Sequence, residues 1–307
     1  MAIKAKNISK SFGKLKVLES LELNIQKGSV HGFLGPNGAG KTTVIRILLG
    51  LLSPDTAEIE IMGHDLFLQR DLIMSKVGAI VEYPAFFEYL TAYENLLYLS
   101  RLSFHKINKA TIENALKIAG LTEVKNKKVL EFSYGMKQRL GIALAMLPDN
   151  ELIFLDEPAN GLDPYGIVDM RKLIRTLSEE YGITIFISSH LLSEVEQTCD
   201  FVTIIDKGKK VCEDKVADLM RKHESLEIIT PDKEKFMAFA TNQNLKIIYE
   251  AKEKYGIKYF VEGREEQIPE LTKKLINNNI RVFKTAKHQK ILEDIFVEVT
   301  SSKNAGN

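Results

Sequence analysis

Ser29-Val30-His31-Gly32-Phe33-Leu34 runs without a break into Gly35-Pro36-Asn37-Gly38-Ala39-Gly40-Lys41-Thr42. Residues 29–34 read as a short strand and residues 41–51 as a helix. Between them, residues 35–42 match GxxxxGK[ST] in full, and at average composition a chance match in a chain this long is on the order of one per cent. Such a loop suits a triphosphate. Its glycines let backbone N–H groups approach closely, the helix N-terminus favours negative charge, Lys41 reaches the β/γ oxygens and the Thr42 hydroxyl can sit on Mg²⁺.

Downstream, Leu152-Ile153-Phe154-Leu155-Asp156-Glu157-Pro158 is an apolar run ending in two carboxylates. A buried strand here delivers Asp156 to the sheet edge, where it can hold Mg²⁺ through water, with Glu157 beside it to polarise an attacking water. Two acids at a strand end are as often a helix cap, and the upstream phosphate loop tips the reading toward nucleotide hydrolysis. Around these motifs the chain alternates β-rich runs (58–62, 77–81, 151–155, 184–188) with helical patterning, densest over 93–147, which is α/β. Residues 201–212, turning at 206–209, read as a β-hairpin. A charged helical stretch at 215–224 introduces a tail in strand-helix-strand-strand-helix-strand order (226–230, 232–241, 246–251, 258–262, 266–277, 280–285), the ferredoxin-like arrangement.

Composition narrows the function classes. Over 307 residues, 42 Lys plus Arg against 41 Asp plus Glu leave a formal charge of +1, so no global field favours nucleic acid. The cysteines Cys199 and Cys212 form no CxxC pair, which excludes a four-cysteine zinc site or disulfide framework and fits a reducing cytosol. No apolar run approaches ~18 residues, and the first residues lack a signal-peptide core. His31, in an apolar strand, reads as a satisfied core residue rather than a ligand.

The order of the phosphate loop, then Phe132-Ser133-Tyr134-Gly135-Met136-Lys137-Gln138-Arg139, then residues 152–158, resembles the nucleotide-binding domain of ABC ATPases over residues 1–215. Asn160-Gly161-Leu162-Asp163-Pro164 is similar to that family's D-loop and Ile187-Ser188-Ser189-His190 to its switch-histidine segment. Phe12, in Ser11-Phe12-Gly13, lies where the family places an aromatic that stacks on adenine. The resemblance implies a P-loop core with a helical insertion around 85–148, and the composition and element order beyond it add a linker at 216–224, a small C-terminal α/β domain over 225–300 and a frayed tail at 301–307. It implies ATP with Mg²⁺, bound by residues 35–42, Thr43, Phe12 and Asp163, with Lys41, Glu157 and His190 catalytic and Thr42, Asp156 and Glu82 at the metal. A head-to-tail dimer would bring Ser133 and Gly135 to the partner's nucleotide.

Two departures stand out. The family signature is LSGGQ, and here Tyr134 replaces a glycine and Met136 the glutamine. Glu82, in Val81-Glu82-Tyr83-Pro84, stands at the Q-loop position, as in the bacitracin-resistance and lantibiotic-immunity subgroup, while Leu292-Glu293-Asp294-Ile295-Phe296 and the appended tail are similar to single-domain subunits that drive drug and peptide exporters. The expectation is an ATPase subunit at the inner face of the cell membrane. It would drive a separate permease docked near residues 82–98, where Tyr83, Phe86, Phe87 and Tyr89 cluster. The alternatives are an ABC ATPase acting on nucleic acid or ribosomes, an exporter subunit for an unrelated substrate, and a non-catalytic interaction module.

Overall fold

The computed structural model describes residues 1–102, 107–147, 150–222, 225–288, 292 and 296. They fall into two compact units, Met1–Val216 and Ala217–Asn307. The first opens with β1 (Ile3–Phe12) and β2 (Leu15–Ile25), an antiparallel pair turned by Gly13 and Lys14, with Gly13 at φ +58. Next come β3 (Val30–Leu34), α1 (Lys41–Leu48), β4 (Thr56–Ile61), β5 (His64–Asp65), α2 (Arg70–Met74) and β6 (Val77–Ile80). The helices α3 (Ala92–Ser100), α4 (Lys109–Ile118) and α5 (Tyr134–Ala145) follow. The chain then returns through β7 (Leu152–Asp156), α6 (Pro164–Glu179), β8 (Thr184–Ser189), α7 (Leu192–Thr198), β9 (Phe201–Asp206) and β10 (Lys209–Lys215).

Two sheets result. One is antiparallel, in the order β2-β1-β4-β5; the other, β10-β9-β3-β8-β7-β6, is parallel apart from the β9–β10 hairpin. Every residue of β3, β7 and β8 is buried, which is why these strands read as continuous apolar runs. The three helices between β6 and β7 form a small core of their own around Leu96, Ile112, Leu116 and Leu140. They start at side-chain caps that satisfy their first amides: a Thr91–Glu94 capping box, Asn108 and Ser133.

In the antiparallel sheet only β4 has a counterpart in the sequence reading, the run 58–62. β1 carries outward Lys4, Lys6 and Lys10, and register shifts after Ala5 and Ile8 break the alternation that would have signalled it. The first helix ends at Leu48 rather than residue 51, because Gly50 takes φ +63.

In the second unit, α8 (Val216–Lys222) leads to β11 (Ser225–Thr230), α9 (Lys233–Asn242), β12 (Ile247–Glu253), β13 (Gly256–Glu262), α10 (Ile268–Asn277) and β14 (Lys284–His288). Its sheet is antiparallel in the order β12-β13-β11-β14, the ferredoxin-like topology, over a core of Leu226, Ile228, Phe236, Tyr259 and Leu275. The last strand begins at Lys284, not at 280. Ile280 packs into the core and donates its amide to Leu275 O at the end of α10, so its apolar character reports a helix stop. Of the 292–296 motif only Leu292 and Phe296 are described, and the 301–307 tail lies outside the described residues.

His31 shows what the parallel sheet does to a polar group. It is fully buried in β3, stacked between Phe186 (6.1 Å) and Phe201 (6.2 Å), with Nε2 hydrogen-bonded to Thr203 Oγ1 at 2.8 Å. Nδ1 has no partner among the described residues, so the expectation of a satisfied histidine holds for one nitrogen. Burial, with the Lys210 charge second, pushes its pKa from 6.5 to about 3. The folded state therefore keeps His31 neutral while the unfolded chain takes up a proton below pH 6.5, and stability falls as pH drops from there toward 3. Between pH 7 and 5 this one group should remove about 2 kcal/mol from the unfolding free energy. Urea titrations of wild type and His31→Phe at both pH values check it: the variant should lose most of the slope, and an equal slope would show that other groups set it.

Candidate functional site

Three parallel strands end at one edge of the sheet, and their register sets the site. Leu34 on β3 pairs with Ser189 on β8, and Asp156 on β7 pairs with Ser188. The carboxyl edge of an open α/β sheet is where such folds bind ligands. Two positions of the loop leave no room for a side chain: a Cβ at Gly35 would lie 2.7 Å from Ile205 O, and one at Gly40 2.7 Å from Leu18 Cδ2. Gly38 and Gly40 also take positive φ, +81 and +104. Pro36, Asn37 and Gly38 form the exposed tip, Ala39 anchors it in the core, and Lys41, Thr42 and Thr43 make the first turn of α1.

Lys41 is only 6 % exposed. Its Nζ donates to Gly35 O at 2.9 Å and Pro36 O at 3.4 Å, and pairs with Glu157 Oε1 at 3.2 Å. The other oxygen of Glu157 meets His190 Nδ1. Thr42 Oγ1 donates to Asp156 Oδ2 at 2.9 Å, and Ser188 Oγ donates to Asp156 Oδ1. The Glu157 amide donates to Ser188 Oγ at 3.0 Å and Ser188 O at 3.2 Å, which fixes Glu157 at φ +52, a conformation unusual for a side chain of this size. Lys41, Thr42, Asp156, Glu157 and His190, picked out in the sequence far apart, thus form one connected cluster.

Ser188 belongs to the same cluster and holds both acids, yet sequence reasoning gave it no role. The signal was there: a hydroxyl closing an otherwise apolar buried strand needs a polar partner. No described contact links Phe12, Glu82, Ser133, Gly135 or Asp163 to the cluster. Phe12 ends β1 half-exposed, with Lys10 Nζ 5.4 Å from its ring centroid. Asp163 caps α6, accepting from Gly166 N at 2.6 Å, and Ser133 caps α5, accepting from Met136 N at 3.3 Å. Gly135 lies in the first turn of α5. Glu82, just beyond β6 at φ +65, pairs with Arg46, which lies one turn along α1 from Thr42.

The cluster offers an ammonium, a hydroxyl, two carboxylates and an imidazole beside a glycine loop at a helix N-terminus. That set binds a phosphate chain and activates water against it. The adjacent Thr42 hydroxyl and Asp156 carboxylate are hard oxygen donors that fit Mg²⁺, which keeps several waters and takes few protein ligands. Consistent with that, no group of three or more His, Cys, Asp or Glu converges as a metal cage among the described residues. Among the same residues no helix is long and apolar enough to cross a membrane.

Comparison with known proteins agrees with this geometry. The ABC transporter family pattern matches residues 18–160. The chain is 42 % identical to the bacitracin transport ATP-binding protein BcrA of Bacillus licheniformis over 306 residues, 99 % of each chain. It is also 42 % identical to the lantibiotic transport ATP-binding protein SrtF of Streptococcus pyogenes over 211 residues, 69 % of this chain and 90 % of that one. A dimeric bacterial ABC transporter cassette superposes with a TM-score of 0.62 at 27 % identity, covering 70 % of this chain and 98 % of the cassette. Likeness over the whole length, a shared cassette fold and the phosphate-loop cluster place this chain in the family of ABC transporter ATP-binding subunits, which are ATPases.

Proposed function

We propose that this ATPase powers a separate membrane permease that exports an antimicrobial peptide of the bacitracin or lantibiotic kind. The full-length likeness to a bacitracin transport subunit carries the reading, and Glu82 at the Q-loop position supports it. Glu157 pairs with Lys41. The γ-phosphate takes over that ammonium, which frees Glu157 to accept a proton from the attacking water while His190 holds its other oxygen. Thr42 and Asp156 hold Mg²⁺, which neutralises charge on the phosphates when bound.

The second half of the site comes from another copy. Ser133 is exposed at the N-terminus of the 12-residue α5, whose free amides and dipole favour an anion. In a head-to-tail dimer Ser133 and Gly135 contact the nucleotide held by residues 35–43 of the partner subunit, with Asp163 and an adenine-stacking Phe12 completing it. Tyr83, Phe87 and Tyr89 are exposed by 72 %, 56 % and 81 % and form the permease-facing patch, whereas Phe86 packs into the helical core. An action on nucleic acid finds no support in a chain of net charge +1.

Three measurements test the reading. Glu157→Gln should keep ATP binding but lower turnover by roughly 10²–10⁴, the usual worth of a positioned base, and should accumulate as an ATP-bound dimer on size exclusion. Near-normal turnover removes Glu157 from the role. Ser133→Arg should leave monomer ATP affinity intact while abolishing dimerisation and hydrolysis, and mixing it with Lys41→Ala should restore one composite site. Equal loss of monomer affinity in both variants contradicts the assignment in trans. Glu82 must leave Arg46 to reach Mg²⁺, and an exposed ion pair is worth at most about 1 kcal/mol, so Arg46→Ala should lower the Mg²⁺ half-saturation of hydrolysis by up to about five-fold. Glu82→Ala should raise it, and an unaltered Mg²⁺ titration in both would leave Glu82 a surface carboxylate.

A further inference from the structure

Tyr134, where the family signature has a glycine, is packed on three sides by its own chain. Its ring meets the Tyr83 ring edge-on, centroids 6.1 Å apart at 67°. A second side lies against Gly161 in the D-loop, where a built Cβ falls 3.4 Å from Tyr134 Cε1. Its hydroxyl accepts from Gln138 Nε2 at 2.7 Å, one turn along α5. Next to it, a Cβ added at Gly135 would lie 3.4 Å from Leu162 Cδ2, so the start of α5 lies close to the D-loop. Gly161 takes φ +77, a backbone conformation that disfavours any other residue there.

A glycine at 134 would leave the Glu82 loop, the start of α5 and the D-loop without a common contact. From this packing we infer that Tyr134 is a positioning residue for hydrolysis: it ties Tyr83, the neighbour of Glu82, to the D-loop and sets the angle at which Ser133 is presented to the partner's nucleotide. The inference rests on the composite site proposed above. The residue works through its ring, because the edge-on contact and the Gly161 contact are both made by ring atoms, and the hydroxyl reaches only its own helix. Tyr83 is 72 % exposed and contributes little to folding, so its removal isolates the contact itself.

The test uses the full chain without any permease, so that docking cannot contribute. ATPase kcat and KM and monomer ATP affinity are measured for Tyr134→Leu, Tyr134→Phe, Tyr83→Leu, the Tyr83→Leu/Tyr134→Leu double variant and Ser133→Arg. Tyr134→Leu and Tyr83→Leu should each lower kcat about five- to ten-fold, the worth of one aromatic pair, with KM and monomer affinity within two-fold of wild type. The double variant should lose no more than the worse single one, and Tyr134→Phe should keep at least half the wild-type rate. Should Tyr134→Leu fail to fold, Tyr83→Leu and Tyr134→Phe still decide. Additive losses, a wild-type rate in Tyr83→Leu or a Phe variant as slow as Leu each overturn the inference. Loss at Ser133 with both tyrosine variants at the wild-type rate discards the bridge and leaves the composite site standing. A wild-type rate in all of them discards both.

Discussion

An ammonium that is 6 % exposed must have an anion beside it, because an unpaired buried charge costs several kcal/mol. For Lys41 that anion is Glu157, and the rest of the site is organised around the pair. The strand register brings Asp156 beside Ser188, Ser188 fixes the Glu157 backbone, and the left-handed backbone of Glu157 turns its carboxylate back toward α1. In the mechanism proposed above, a phosphate on Lys41 would release the Glu157 carboxylate to the attacking water.

The same arrangement fits the proposed pairing of two copies. Lys41, Thr42, Asp156, Glu157, Ser188 and His190 all lie at one sheet edge and approach a phosphate chain from one side. Ser133 and Gly135 begin a helix of the insertion, whose core is separate from the one beneath the phosphate loop. A helix N-terminus left exposed is a site of positive potential without a ligand of its own. In the proposed head-to-tail pairing each such terminus would meet a phosphate chain, and the solvent-facing aromatics after β6 would stay free for the permease.

Much of this was legible in the sequence for definite reasons. The phosphate loop is visible because glycines with positive φ and a fixed lysine leave little room for other residues. The strands β7 and β8 are visible because burial on both faces makes them continuously apolar. The β1–β2 pair of the antiparallel sheet was not, since register shifts scramble its alternation. Neither were Ser188, Arg46 and the Tyr83–Tyr134 contact, which depend on pairs of residues 31 or more positions apart in the chain. A motif names the residues that meet a ligand. It does not name those that meet each other, and here the latter hold the acids in place.

The two units differ in what they must do. Every residue of the phosphate cluster lies between Gly35 and His190, inside the first unit, whereas the ferredoxin-like unit carries its own core around Phe236 and Tyr259. A core of that kind gives the second unit the means to stay folded without contributing to the first. The lantibiotic relative fits this division: 90 % of its length is matched by 211 residues, about the size of the first unit alone, while the bacitracin relative matches both units. The match to the bacitracin relative runs on through the second unit, while the cluster around Lys41 lies wholly within the first. Each unit has its own core to pack, and in the first the proposed mechanism adds the demand that one carboxylate serve both a buried lysine and a water.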